Sequence, residues 1–148
     1  METEAASLLG HMLFSFSYID MNLGLCLAWE DNGKKLKALS SSVEGLSIYD
    51  KLDKLSRRVK EIFPAGTKRR LEYELWIERV HAAREKRNQM VHGRWGIEAH
   101  RHKVVNVIGL PSGSQQCIEY TLSELTAFID ELRSLVRELS RLREQWPL

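Results

Sequence analysis

Three side chains near the middle of the chain have the types that phosphate chemistry requires. Arg87, Asn88 and His92 stand within one stretch of six residues. An arginine guanidinium binds two phosphate oxygens at once through its planar fork. An imidazole titrates near neutral pH and can take up or release a proton during a reaction. The segment therefore predicts a site for an anionic phosphate group at which protons can be moved.

Arg87 occupies an inward position of a predicted helix, where the pattern calls for an apolar residue. The helix is expected from about Thr67 to Val91. Its preceding inward residues recur at helical spacing: Tyr73, Trp76, Val80 and Ala83. Two structural explanations stand beside a functional one. The stem of Arg87 can pack on the core while its guanidinium reaches solvent, or the guanidinium can pair with a buried carboxylate such as Asp20.

The end of the same helix has a structural explanation as well. A histidine at a helix C-terminus, such as His92, interacts favourably with the dipole and the free carbonyls, and Asn88 can be an ordinary surface residue. Gly93 is well placed to be the left-handed residue that ends the helix. On a continuous helix Arg87 and His92 point about 140° apart. They can share a site only where the helix is ending, or where a second molecule completes the site.

The segment resembles the motif of the HEPN superfamily of small helical domains. In that family an arginine, commonly followed by a polar residue, precedes a histidine by four to six intervening residues. Arg87-Asn88 and His92 match this pattern with a gap of four, and Gly93 matches the branch in which glycine follows the histidine. The first helix is similar in its glycine, aromatic and acidic positions, although the acidic residue is more often glutamate in the family: Gly10, Phe14, Phe16, Tyr18 and Asp20.

The resemblance implies a metal-independent endoribonuclease that needs no cofactor and serves as a toxin or defence effector. Members of the family act as homodimers in which two motifs face each other across a cleft. On this view His92 of one subunit is the base and its mate the acid, the Arg87 pair stabilises the transition state, and Asn88 positions the phosphate or holds His92. RNA is the expected partner, and a cognate antitoxin is a further one implied by analogy.

The residues expected to bind the RNA surround the motif. Arg84 and Arg94 belong to a basic cluster in the middle third of the chain, within a net charge of only +2. The ring of Trp95 can stack on a base or be packed in the interior. A non-catalytic module that binds nucleotide or RNA, or that mediates dimerisation, is the alternative function. A structural adaptor that uses the exposed charges of the last helix is the third.

Composition and length favour an ordinary intracellular domain. The chain has 148 residues and is expected to form a single domain, 1–148. The acidic N-terminus lacks the positive flank of a signal peptide, and the apolar stretch from Leu8 to Trp29 is too polar for a comfortable membrane span. Cys26 and Cys117 lack the spacing of a metal site, which favours a reduced, cytoplasmic protein.

Four long helices and one hairpin are predicted to position these residues. Besides the helix that carries Arg87, we expect helices over about Glu4–Trp29, from Ser47 to Pro64, and from the capping box at Thr121 onward. The serine run 40–42 is expected to be loop. Strands over 104–108 and 117–120, joined by a turn at 111–114, are expected to form the hairpin. The predicted fold is an all-α, HEPN-like bundle of four to five helices with this small hairpin between the third and fourth long helices.

Overall fold

Five α-helices and a small antiparallel sheet make up the chain, and the computed structural model describes all 148 residues. The helices are α1 Glu2–Ala28, α2 Leu36–Val43, α3 Ile48–Ile62, α4 Lys68–His92 and α5 Leu122–Gln145. The strands lie between α4 and α5 and pair in chain order: β1 Arg94–Glu98, β2 Lys103–Ile108 and β3 Gln116–Tyr120. The mostly helical fold with a small β element is therefore confirmed. None of the helices combines the length and apolar character that crossing a bilayer requires.

The chain forms two compact units. The first consists of Met1–Phe16 and Ala83–Arg133, and it contains the motif segment and the whole sheet. The second consists of Ser17–Ala82 and Ser134–Leu148. In the second unit, buried Trp76 donates from Nε1 to the carbonyl oxygen of Leu135 at 2.8 Å, and Tyr73 donates from its hydroxyl to the carbonyl oxygen of Trp146 at 2.8 Å. These bonds satisfy the polar ends of two large core side chains, as burial of such groups requires.

Local sequence signals set the long helices where they were predicted. Ser47 accepts a hydrogen bond from the backbone of Asp50 at 3.1 Å, and Thr121 accepts one from the backbone of Glu124 at 3.0 Å. Each side chain satisfies an amide that the first turn of a helix leaves without a partner. The inward stripes are buried where periodicity placed them, for example at Leu52, Leu55 and Val59 of α3.

The prediction that the serine run is loop was wrong, because these residues form the end of α2. Ser41 donates to the carbonyl oxygen of Lys37 at 3.1 Å, and Ser42 donates to that of Leu39 at 2.9 Å. Serine hydroxyls can bond back to the preceding turn in this way without breaking a helix. Val43, in the last turn of α2, is buried and holds the helix against its unit.

The predicted two-stranded hairpin corresponds to β2 and β3, and the sheet has a third strand. The missed strand, β1, pairs antiparallel with β2 from Arg94 opposite Val107 to Glu98 opposite Lys103. Its sequence has a glycine in the middle and charged residues at both ends, so its own propensity for strand is low. Pairing with the β-branched residues of β2 supplies the stabilisation that the local sequence lacks.

Candidate functional site

Arg87 is held in place by an aromatic ring of α1. Its guanidinium carbon lies 4.4 Å from the centroid of the Phe16 ring, within the first unit. Phe16 is buried, and Arg87 is half-buried. A guanidinium over an aromatic face is attracted by the ring's quadrupole. Asp20, the carboxylate suggested as a partner for Arg87, forms an ion pair with Lys51 at 2.7 Å. The guanidinium of the inward arginine lies against an aromatic ring.

His92 is the last residue of α4, and its side chain is exposed. The helix is continuous up to this point, since the amide of Gly93 still bonds to the carbonyl oxygen of Gln89 at 3.1 Å. Arg87 and His92 therefore leave the helix about 140° apart. Asn88, directly after Arg87, is half-buried. The structure thus places all three motif residues in the last two turns of α4, without an unwound turn that would make Arg87 and His92 converge.

The C-terminal end of α4 is capped by side chains from the sheet. The carbonyl oxygen of Met90 accepts a hydrogen bond from Trp95 Nε1 at 2.8 Å and one from Asn106 Nδ2 at 3.4 Å. The Trp95 ring also packs on Tyr120, with the ring centroids 5.7 Å apart. Carbonyls in the last turn of a helix lack intrahelical partners. Trp95 and Asn106 therefore tie the turn that carries His92 to strands β1 and β2.

Gly93 is not the left-handed helix terminator that the sequence suggested. Positive φ angles occur at four other glycines, not at Gly93. Glycine is required at position 93 for a steric reason, because a Cβ atom there would overlap the side-chain amide of Asn106. Asn106 is completely buried. A glycine is thus needed at the end of α4, because the side-chain amide of Asn106 in β2 lies directly against it.

Asn106 is the residue that sequence reasoning missed. It stands inside the β-branched run of β2, where the inward-facing positions are Val104 and Asn106. A polar residue on the inward face of a strand is the signal that would have identified it, because a buried amide requires a hydrogen-bond partner. Its Nδ2 has one in Met90, while its Oδ1 accepts no hydrogen bond.

The basic residues around the motif differ in their surroundings. Arg94 is exposed and donates from Nη2 to the carbonyl oxygen of Gly109 at 2.9 Å. Arg84 is half-buried on α4. Lys86 lies over the Phe128 ring, 4.6 Å from its centroid. Arg101 forms an ion pair with Glu119. Of the two predicted RNA-binding arginines, Arg94 is the one with an exposed side chain.

A cleft in the first unit lies beside Trp95, but its lining is apolar. It has a volume of about 470 Å³, and Glu2 is its only charged residue. The other lining residues come from α1, β1 and β2: Ala5, Ala6, Leu9, Trp95, Gly96, Ile97 and Val104. Such walls offer no donor set for a phosphate. No cluster of three or more His, Cys, Asp or Glu side chains is placed to hold a metal ion.

Of the two cysteines, only Cys117 is positioned to react. Cys117 is exposed, whereas Cys26 is buried and its burial raises the pKa of its thiol to about 12. The thiolate is the reactive form, so we expect a disulfide reagent such as DTNB to modify Cys117 alone in the folded protein and both thiols in denaturant. The variant Cys117→Ser should release no chromophore until it unfolds. Fast modification of Cys26 in that variant would contradict this.

No protein-family model matches this chain, and neither a curated protein nor a solved structure shows significant similarity to it.

Proposed function

We propose that this chain is a metal-independent endoribonuclease of the HEPN type, acting as a toxin or defence effector. The observation that supports the proposal most is the pairing of residue types at the end of α4. Half-buried Arg87 occupies an inward position supported by Phe16, and exposed His92 follows about one and a half turns later. A fixed guanidinium and an accessible imidazole are the groups that cleavage at a phosphate needs.

The proposed reaction is attack by a 2′-hydroxyl of the RNA on the adjacent phosphorus. His92 takes the proton of that hydroxyl as the new oxygen–phosphorus bond forms. The 5′ oxygen of the next nucleotide leaves and receives a proton, so that the products end in a 2′,3′-cyclic phosphate and a 5′-hydroxyl. Arg87 stabilises the charge on the equatorial oxygens of the phosphorane. Asn88 is assigned to position the phosphate or to hold His92.

A second copy of the chain supplies the general acid. One motif has one imidazole, and the reaction needs a base and an acid at the same time. The divergence of Arg87 and His92 on α4 also favours a site completed by another molecule. The partner's His92 therefore protonates the leaving oxygen, and the two motifs face each other in a homodimer.

The surrounding residues have more limited roles in this proposal. Arg94 is exposed and attracts the RNA backbone to the end of α4. Arg84 adds to the local positive potential. Trp95 donates its indole N–H to the carbonyl oxygen of Met90, and its ring packs against Tyr120. A base can therefore stack only on the remaining part of the ring. A cognate antitoxin is a further partner, proposed by analogy alone.

The test is cleavage of a mixed RNA pool in EDTA by the wild-type protein and by His92→Ala. We expect fragments with 2′,3′-cyclic phosphate ends from the wild type and loss of those fragments with the variant, because the proton acceptor is gone. A matched oligonucleotide with 2′-deoxyribose should not be cleaved by either. Equal cleavage by both proteins would assign the activity to another site or to a contaminant.

A non-catalytic nucleotide- or RNA-binding module is the second candidate. It is favoured by the stacking of Arg87 on Phe16, which is also the arrangement of a structural arginine. Such a module would retard labelled RNA in a binding assay without cutting it, and Arg94→Ala would weaken that binding and reduce its dependence on salt. Binding without cleavage by a folded wild-type protein would decide for this module.

A further inference from the structure

Helix α1 carries a second apolar stripe on the face opposite to the core. Its inner face is buried: Met12, Phe16, Ile19, Leu23 and Leu27. Its outer face, continued by Trp29 directly after the last residue of α1, exposes between 51% and 67% of five large side chains: Phe14, Tyr18, Met21, Leu25 and Trp29. Projected at 100° per residue, the outer residues fall within a narrow arc. A helix that is apolar on two opposite faces is usually buried on both.

The outer stripe presents almost no charge that would oppose its burial. Asp20 is the only Asp, Glu, Lys or Arg between Glu4 and Glu30. It is paired with Lys51, whose Nζ lies 2.7 Å from the carboxylate. Charged residues are depleted in the core of protein interfaces for this reason. The stripe has the composition of an interface core.

The exposed apolar area of the stripe is about two thirds of what one partner of a standard interface buries. A large side chain covers roughly 200 Å², so the exposed fractions of the five residues correspond to roughly 550 Å² on one chain. A standard interface buries about 800 Å² from each partner, and part of that is polar rim. A patch of roughly 550 Å² is at the upper end of the largest apolar patches on monomeric proteins, and such patches are often functional.

The spacing of the stripe identifies its partner. From Gly10 the outer residues follow at intervals of four, four, three, four and four: Phe14, Tyr18, Met21, Leu25 and Trp29. The series reads the same in both directions about a centre between Tyr18 and Met21. Two copies of α1 packed antiparallel about a two-fold axis would therefore bring each residue opposite a member of the same stripe. A symmetric dimer requires such self-complementarity.

We propose that two copies of this chain associate through α1, packed antiparallel along this outer stripe. Tyr18 lies against the partner's Met21 at the centre, and Phe14 lies against the partner's Leu25. At each end Trp29 lies over the partner's Gly10. Because glycine has no side chain, the helix surface at this position leaves room for the indole. A Cβ atom built on Gly10 meets nothing within 4 Å in one chain. Contacts within a single chain therefore do not require a glycine at this position.

A lipid surface is the less suitable occupant. Helices that lie on membranes carry lysine or arginine along their polar face, and α1 contains neither residue. The interface includes none of the motif residues of α4. Because Arg87 packs on Phe16, on the inner face of α1, this interface is separate from the one that would bring two motifs together. Its test is the effect of substitutions in the stripe on association, so it can fail while RNA cleavage succeeds, and the reverse.

The first experiment is sedimentation equilibrium of wild type and Met21→Lys. We expect a wild-type dimer and at least about a thirtyfold weaker association of the variant, as for loss of a central interface residue. Leu71→Lys is the matched control, because Leu71 is an exposed leucine of α4 (53%) outside the stripe. It should leave the dimer intact. A wild-type protein that is monomeric at about 100 μM, far above the dissociation constants of specific interfaces, would overturn the proposal.

The second experiment separates dissociation from misfolding. Gly10→Gln should make the single chain more stable, because glutamine favours a helix and the site is open. In the antiparallel dimer the same side chain meets the partner's Trp29, so association should weaken. A Gly10→Gln protein that dimerises as tightly as wild type would overturn this register. Binding of wild-type monomer to neutral lipid vesicles would overturn the choice of a second copy.

Discussion

Arg87→Ala and His92→Ala should each lower the rate of RNA cleavage by at least about a hundredfold. General acid–base catalysis contributes about 10²–10⁴ in rate, and removal of one group that stabilises transition-state charge costs about 10²–10³. Arg87→Lys should recover only part of the loss, because an ammonium lacks the planar fork of the guanidinium. The rate is measured in EDTA on one defined RNA, at substrate concentrations well below saturation.

The double variant tests whether the two residues act in one site. Groups that act together in catalysis are strongly non-additive, so Arg87→Ala combined with His92→Ala should cleave little more slowly than the worse single variant. The control is Arg137→Ala, which removes an exposed arginine from α5 and should leave the rate within about twofold, as expected for a surface change. Full activity of Arg87→Ala would reduce that arginine to its structural role against Phe16.

Gly93→Ala should destabilise the fold by about 2–3 kcal/mol, which is typical of overpacking a tight interior contact. The new methyl group would overlap the Asn106 side chain, which is completely buried. Displacing it would also break its bond to the Met90 carbonyl. The free energy of unfolding is measured by urea denaturation. Gly113→Ala is the control, because its nearest neighbour is a carbonyl oxygen at 4.0 Å.

A second substitution identifies the cause of that loss. Asn106→Ala removes the amide that the new methyl group meets, so the double variant Gly93→Ala with Asn106→Ala should be more stable than the sum of the single effects predicts. Strict additivity would show that Gly93 is required for another reason, such as backbone conformation. Because this contact sits beside His92, RNA cleavage by Gly93→Ala should fall together with its stability.

Periodicity and capping were enough to place the long helices, because their signals lie within a few residues of each other. The hydroxyls of Ser47 and Thr121 begin α3 and α5 as predicted, and the inward stripes are buried. Strand β1 could not be found in this way. Its pairing partners in β2 stand several residues away in sequence, and a strand with a central glycine has no strong preference of its own.

The sequence by itself determined the residue types at the end of α4 and the order of the long helices. Only the tertiary structure decided what those features contact. It shows that Phe16 supports Arg87, that Asn106 explains Gly93, and that the stripe from Phe14 to Trp29 stays exposed. The physical reason is that a helical pattern depends on neighbours within one or two turns, whereas burial and close approach depend on segments that only folding brings together.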